Sequence, residues 1–88
     1  MADNVQGTVY LIHLDRPFGH AKHYRGWSQF LEARLEHHRR GTGATFLRHV
    51  KEAGIGWQLA MTFPGTRHDE RRFKNRGGAS RLCPICNP

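Results

Sequence analysis

Hydrophobic and polar positions change their period several times along the chain, and each change marks an element. From Thr8 to Leu14 both alternating sets are filled, Val9, Leu11 and His13 on one side, Tyr10, Ile12 and Leu14 on the other, which predicts a strand covered on both faces. Asp15 to Gly19 carries the turn residues Pro17 and Gly19, and Ala21 to Trp27 follows as a second strand, so the pair reads as a β-hairpin with a long loop. Ser28 is placed to cap a helix running through Phe30, Leu31, Leu35 and His38 to Gly41, with Arg39 and Arg40 complementing the dipole of its last turn. Phe46, Leu47, Val50 and Ala53 recur at helical spacing before Gly54 and predict a packing helix. Trp57, Leu59, Met61 and Phe63 then alternate with Gln58, Ala60 and Thr62, the period of a strand with one apolar face, up to Pro64-Gly65.

Thr66-Arg67-His68-Asp69 resembles a capping box with Asp in place of Glu, and opens a polar helix on which only Phe73 packs, stopped by Gly77-Gly78. The expected fold is therefore α+β: a three-stranded, mainly antiparallel sheet flanked by helices in the order β-β-α-α-β-α. Residues 1–7 read as a loose leader, 8–78 as the one domain, and 79–88 as a tail holding Cys83 and Cys86. A chain of 88 residues leaves little for a second domain.

Composition adds a partner class. The 14 Lys and Arg outnumber 7 Asp and Glu, giving a formal charge of +7. Such a surface attracts polyanions through phosphate contacts and counterion release, and makes nucleic acid the leading candidate. The longest apolar run, Thr8 to Ile12, is far short of the ~20 residues of a membrane span, and the first residues lack the basic and apolar regions of a signal peptide. The chain thus reads as soluble, cytoplasmic and free of membrane contact, with association with the nucleoid compatible with its charge.

An ordered series of residues resembles the GIY-YIG nuclease superfamily. Thr8-Val9-Tyr10 looks like the first motif and Tyr24-Arg25-Gly26 like the second. Leu31 to Leu35 followed by His38 is similar to the family's arginine and, one turn later, histidine. Glu70, on the helix after the third strand, stands at the place of the metal-binding glutamate. The match covers Thr8 to Arg76 and agrees in order with the elements read independently from periodicity. Arg25, where the family usually has an apolar residue, departs from the pattern, and no asparagine after the glutamate helix corresponds to the family's own.

The resemblance implies a metal-dependent endonuclease acting on DNA, RNA not being excluded, with Tyr10, Tyr24, Arg34, His38 and Glu70 as catalytic residues. Glu70 would hold one divalent cation, Mg²⁺ or Mn²⁺, in keeping with a hard ion that keeps most of its waters. Arg34 would contact the scissile phosphate through paired donors, and His38, four residues on and so on the same helical face, would support proton transfer or phosphate binding. The first-motif tyrosine, Tyr10, would accept a proton from the attacking water, which requires its pKa to fall under the field of nearby cations. Lys74 and Lys22 are both available as further cations. Arg25, Arg39, Arg40, Arg71, Arg72, Lys74 and Arg76 are candidates for a surrounding phosphate track.

Each of these residues also has a plainer explanation: Glu70 paired with Lys74 at i, i+4, tyrosines buried in a sheet, a solvated basic helix. Two rival functions follow. One is a non-catalytic nucleic-acid-binding module. The other is a small zinc-stabilised interaction domain centred on Cys83-x-x-Cys86, half of a zinc ligand set. For those cysteines reduced or structural thiols rank ahead of zinc, because none of the 7 histidines forms a compact second ligand pair beyond adjacent His37-His38. So small a surface for target selection favours a homodimer or a partner protein supplying specificity.

Overall fold

The computed structural model describes residues 5–88; the first four residues of the expected leader lie outside the described residues. Strands β1 (Gly7–Phe18), β2 (Ala21–Ser28) and β3 (Trp57–Gly65) form one antiparallel sheet in the order β2-β1-β3. Helices α1 (Leu31–Arg40) and α2 (Thr45–Glu52) connect β2 to β3, and α3 (Arg67–Asn75) and the short α4 (Ala79–Leu82) follow. The fold is α+β with the element order expected from the sequence.

β1 is the central strand, and its two residue sets build two cores. Tyr10, Ile12 and Leu14 join Leu35 of α1, Leu47 and Val50 of α2, and Ile55. Val9 and Leu11 meet Phe73 of α3 and Cys83. Both faces are buried, as the continuous apolar run of Thr8 to Leu14 requires.

Four departures from the sequence pattern have local causes. β1 does not turn at Asp15 but runs to Phe18, which pairs with Ala21; the ladder to β2 is irregular between His13 and Phe18, so Pro17 falls where no pairing bond is lost. Ser28 stays in β2, paired with Thr8, and the helix begins at Leu31 with Phe30 as its N-cap. Ser28 Oγ still accepts a bond from Phe30 N–H at 3.0 Å, so the residue serves the helix entry without capping it.

The third departure is in β3. Leu11 opposes Met61, but Ile12 opposes Leu59, so Ala60 is an extra residue in a β-bulge. The bulge exchanges faces: Trp57 packs with Tyr10 and Ile12, whereas Ala60, Met61 and Phe63 pack with Val9 and Leu11. Leu59 is left among the exposed hydrophobics. The single apolar face expected of this strand is therefore divided between the two cores. Finally, residues 79–88 dock against the sheet, with Cys83 completely buried.

The capping box forms as expected: Asp69 N–H donates to Thr66 Oγ1 at 3.2 Å, and Thr66 N–H donates to Asp69 Oδ2 at 2.8 Å. These bonds hold the Asp69 carboxyl below its ordinary pKa, the backbone bond from Thr66 being the main cause. Gly41 closes α1 in the left-handed conformation, at φ 79°.

Removing interior volume is expected to cost more than removing the cap. Leu47→Ala in the α2 layer should lower the unfolding free energy by ~2–5 kcal/mol, and Thr66→Ala by about 1 kcal/mol. Urea unfolding followed by circular dichroism measures both.

Candidate functional site

The site lies at the β2 margin of the sheet, where the α1 and α3 layers meet. An open cavity of about 230 Å³ is lined by Tyr10, Tyr24, Gly26, Trp27, Arg34, Arg67, Glu70 and Lys74. Four of the five expected catalytic residues thus face one space. Their convergence follows from the strand pattern. Tyr10 on β1 opposes Gly26 on β2, and a Cβ at Gly26 would collide with the Tyr10 ring and hydroxyl. The missing side chain lets the tyrosine lie across β2 toward its outer edge. Tyr24 and Gly26 belong to one face of β2, Arg25 and Trp27 to the other, so residues from both sides of the sheet reach the rim.

The fifth residue, His38, lies behind the cavity. It is 1% exposed, and its Nε2 is 2.8 Å from Tyr10 Oη. Ala44 N–H points at Nδ1 from 3.5 Å, so the ring proton is assigned to Nε2, and His38 donates to the tyrosine oxygen. A Cβ on Gly43 would collide with Nδ1, which makes a bare glycine necessary beside the imidazole. Burial, with the charges of Arg34 and His37 after it, pushes the His38 pKa down to about 4. The ring is neutral at pH 7. His38 thus holds the Tyr10 hydroxyl in place from behind the cavity.

Tyr10 does not have the lowered pKa that a proton acceptor needs. Burial raises it well above the ordinary phenol range, neighbouring Tyr24 adds to the rise, and Arg34 opposes it less strongly. Tyr24 is also raised, chiefly by burial, against the pull of Lys74 and Arg34. Desolvation wins over the protein's own cations at both rings.

Glu70, largely buried, faces Lys74 at 3.1 Å. The plainer i, i+4 pairing and the cavity position therefore hold together. Lys74 rather than Lys22 is the cation of this site. Arg67, not selected from the sequence, enters from the first turn of α3 and stacks over Trp27 at 5.1 Å. The capping box that starts α3 at that residue was the signal that could have found it.

Of the residues suggested for a phosphate track, Lys74 alone lines the cavity. Arg25 is turned to structure: it lies 4.8 Å over the Phe73 ring and donates to the carbonyls of Phe73 and Lys74, tying β2 to the end of α3. Its polar head fills the place of an apolar residue by capping a helix terminus. Arg39 stacks over Trp57 at 5.2 Å, and Arg40 pairs with Glu36 at 3.2 Å, both away from the cavity lining. Arg71, Arg72 and Arg76 are exposed along α3.

Cys83 and Cys86 are also outside this cavity. Both are free thiols, and they meet His13 and His23 on the sheet. No protein-family model matches the chain, and neither a curated protein nor a solved structure matches it significantly.

The depressed His38 pKa has a definite sign. The unfolded chain binds its proton near the ordinary value of ~6.5 and the native state only near 4, so stability is full above ~6.5 and is lost as pH falls toward 4. The loss attributable to this group is about 3 kcal/mol, from ~1.36 kcal/mol per pKa unit. Urea unfolding at pH 7, 5.5 and 4 is expected to have a clearly smaller pH slope in His38→Asn. His23, also lowered by burial, contributes to both proteins alike.

Proposed function

We propose that this protein is a GIY-YIG-type endonuclease that hydrolyses phosphodiester bonds in DNA. The observation that carries the reading is the cavity where Tyr10, Tyr24, Arg34, Glu70 and Lys74 face one another, with His38 bonded behind Tyr10. The plainer reading of each residue does not require that they share a space. The net charge of +7 supports a polyanionic substrate.

The residues divide the work as phosphoryl transfer demands. Arg34, exposed at the cavity mouth, offers a planar pair of donors to non-bridging oxygens. Lys74 and Arg67 add positive charge on the opposite wall. Tyr10 is the proton acceptor for the attacking water: its oxygen already receives the Nε2–H of His38, a bond that favours the phenolate and turns the phenol proton away from His38.

Glu70 would hold a divalent cation. Among the cavity-lining residues it is the one carboxylate, a hard oxygen donor that suits Mg²⁺ or Mn²⁺ retaining most of its water. A cation bound there supplies Lewis acidity toward a phosphoryl oxygen and a field that opposes the burial penalty on the tyrosine. In its absence Lys74 neutralises Glu70.

Cleavage of plasmid, branched and single-stranded DNA with Mg²⁺ or Mn²⁺ tests the proposal. Glu70→Gln and Arg34→Ala are expected to abolish cleavage, and Tyr10→Phe to slow it ~10²–10⁴-fold, while salt-sensitive DNA binding survives in Glu70→Gln. Cleavage unchanged by Glu70→Gln would overturn the mechanism. Binding without cleavage under either metal would instead assign a DNA-binding module.

A further inference from the structure

The second convergence of chemistry-bearing residues lies on the face of the sheet opposite Tyr10. His13 on β1 and His23 on β2 are directly opposed in the hairpin, their rings edge-on with centroids 5.3 Å apart. The Cys83-Pro84-Ile85-Cys86 turn comes up beneath them. His13 Nδ1 is 3.5 Å from Cys83 Sγ and 3.6 Å from Cys86 Sγ, and His23 Nε2 is 3.4 Å from Cys86 Sγ. All four donor atoms lie within 4.8 Å of one another.

The three S···N contacts have the length of a tetrahedron's edges. With Zn–S of ~2.3 Å and Zn–N of ~2.0–2.1 Å, a tetrahedral ion has S···N edges of about 3.5–3.6 Å. Hydrogen bonding alone would rest on weak sulfur partners, and would give no reason for all four atoms to gather around one point.

We propose that His13, His23, Cys83 and Cys86 form a structural zinc site. Two sulfur and two imidazole donors gathered within 4.8 Å select Zn²⁺ over Mg²⁺ or Ca²⁺, which take oxygen ligands. Binding converts both thiols to thiolates and releases two protons to solvent, with no change of oxidation state. The resulting cluster has zero net charge, from one Zn²⁺, two thiolates and two neutral imidazoles, so its burial beside Val9 and Leu11 is tolerable. Four protein ligands leave no open position for substrate, which makes the site a staple rather than a reaction centre.

The staple joins parts of the chain 70 residues apart, from His13 to Cys83. The C-terminal turn is shaped for it: Asn87 N–H and Nδ2 both donate to the Cys83 carbonyl, at 3.0 and 3.3 Å. Cys83 is fully buried in the core that also holds Phe73 of α3. A chain of this length has a small core, and metal cross-links are a common supplement at that size.

The test is metal content of the full-length protein, purified under reducing conditions and offered ZnSO₄, then dialysed. One zinc per chain by atomic emission is expected, with Co²⁺ replacement giving the visible d–d bands of a tetrahedral ion and a near-ultraviolet thiolate charge-transfer band. Chelation should lower Tm by more than ~10 °C. His23→Ala should weaken zinc binding more than ~100-fold, beyond the cost of losing an outer partner, whereas His23→Cys should retain one zinc. A wild-type chain that takes up no zinc, an octahedral Co²⁺ spectrum, or full affinity in His23→Ala would overturn the site. These readouts do not involve cleavage, so they stand or fall separately from the nuclease proposal. Should His23→Ala fail to fold, the wild-type stoichiometry, the Co²⁺ spectrum and His23→Cys decide the matter.

Discussion

The structure depends on one strand being dry on both sides. β1 lies between β2 and β3, and its alternate residues supply the two cores. Neither helical layer has an apolar set large enough to be independent: α1 and α2 bury Leu35, His38, Leu47 and Val50, and α3 buries Phe73. Each layer is stable only because β1 presents a complete apolar row to it. The bulge at Ala60 serves the same end, handing Trp57 to one layer and Met61 and Phe63 to the other.

That arrangement places reactive groups in an environment unfavourable to charge. Tyr10 and His38 are nearly inaccessible, and burial keeps both neutral at pH 7. At the tyrosines the opposing influences come from the rim, Arg34 from α1 and Lys74 from α3, whereas Glu70 adds to the effect of burial. In the proposed nuclease reading the cation at Glu70 changes this balance, so the dry interior supplies rigidity and the rim supplies charge. Gly26 connects the two environments, since only a residue without a Cβ lets the Tyr10 hydroxyl lie across β2.

The sequence was most legible where one local pattern fixes one structural outcome. The two-sided run from Thr8 to Leu14, the capping box at Thr66 and Asp69, and the stop at Gly41 each depend on near neighbours. Placing Tyr10, Tyr24, Arg34 and Glu70 together rested on the order of several short segments that resemble motifs, none of them specific by itself. Less legible were features decided by pairing between distant segments. The bulge at Ala60 is set by β1, and Arg25 finds its partners in Phe73 and Lys74, 48 and 49 residues away. His13 and His23 have no recognisable ligand spacing because register brings them together. Their signal is hairpin symmetry, both being five positions from residue 18, and it becomes readable only once the strand is known to continue past Asp15.

Tyr10 and His13 are three positions apart on β1 and so serve opposite faces. The parity of this segment consequently constrains how the protein can vary in evolution. Substitutions can tune the tyrosine cavity and the histidine–cysteine cluster almost separately, because the sheet lies between them. A single-residue insertion or deletion between the two cannot: it would exchange the layers served by every following position of the strand, turning His13 toward α1 and α2 and an apolar neighbour toward the cysteines. Lineages can lose either cluster by point mutation, but they cannot relocate one without disrupting the other.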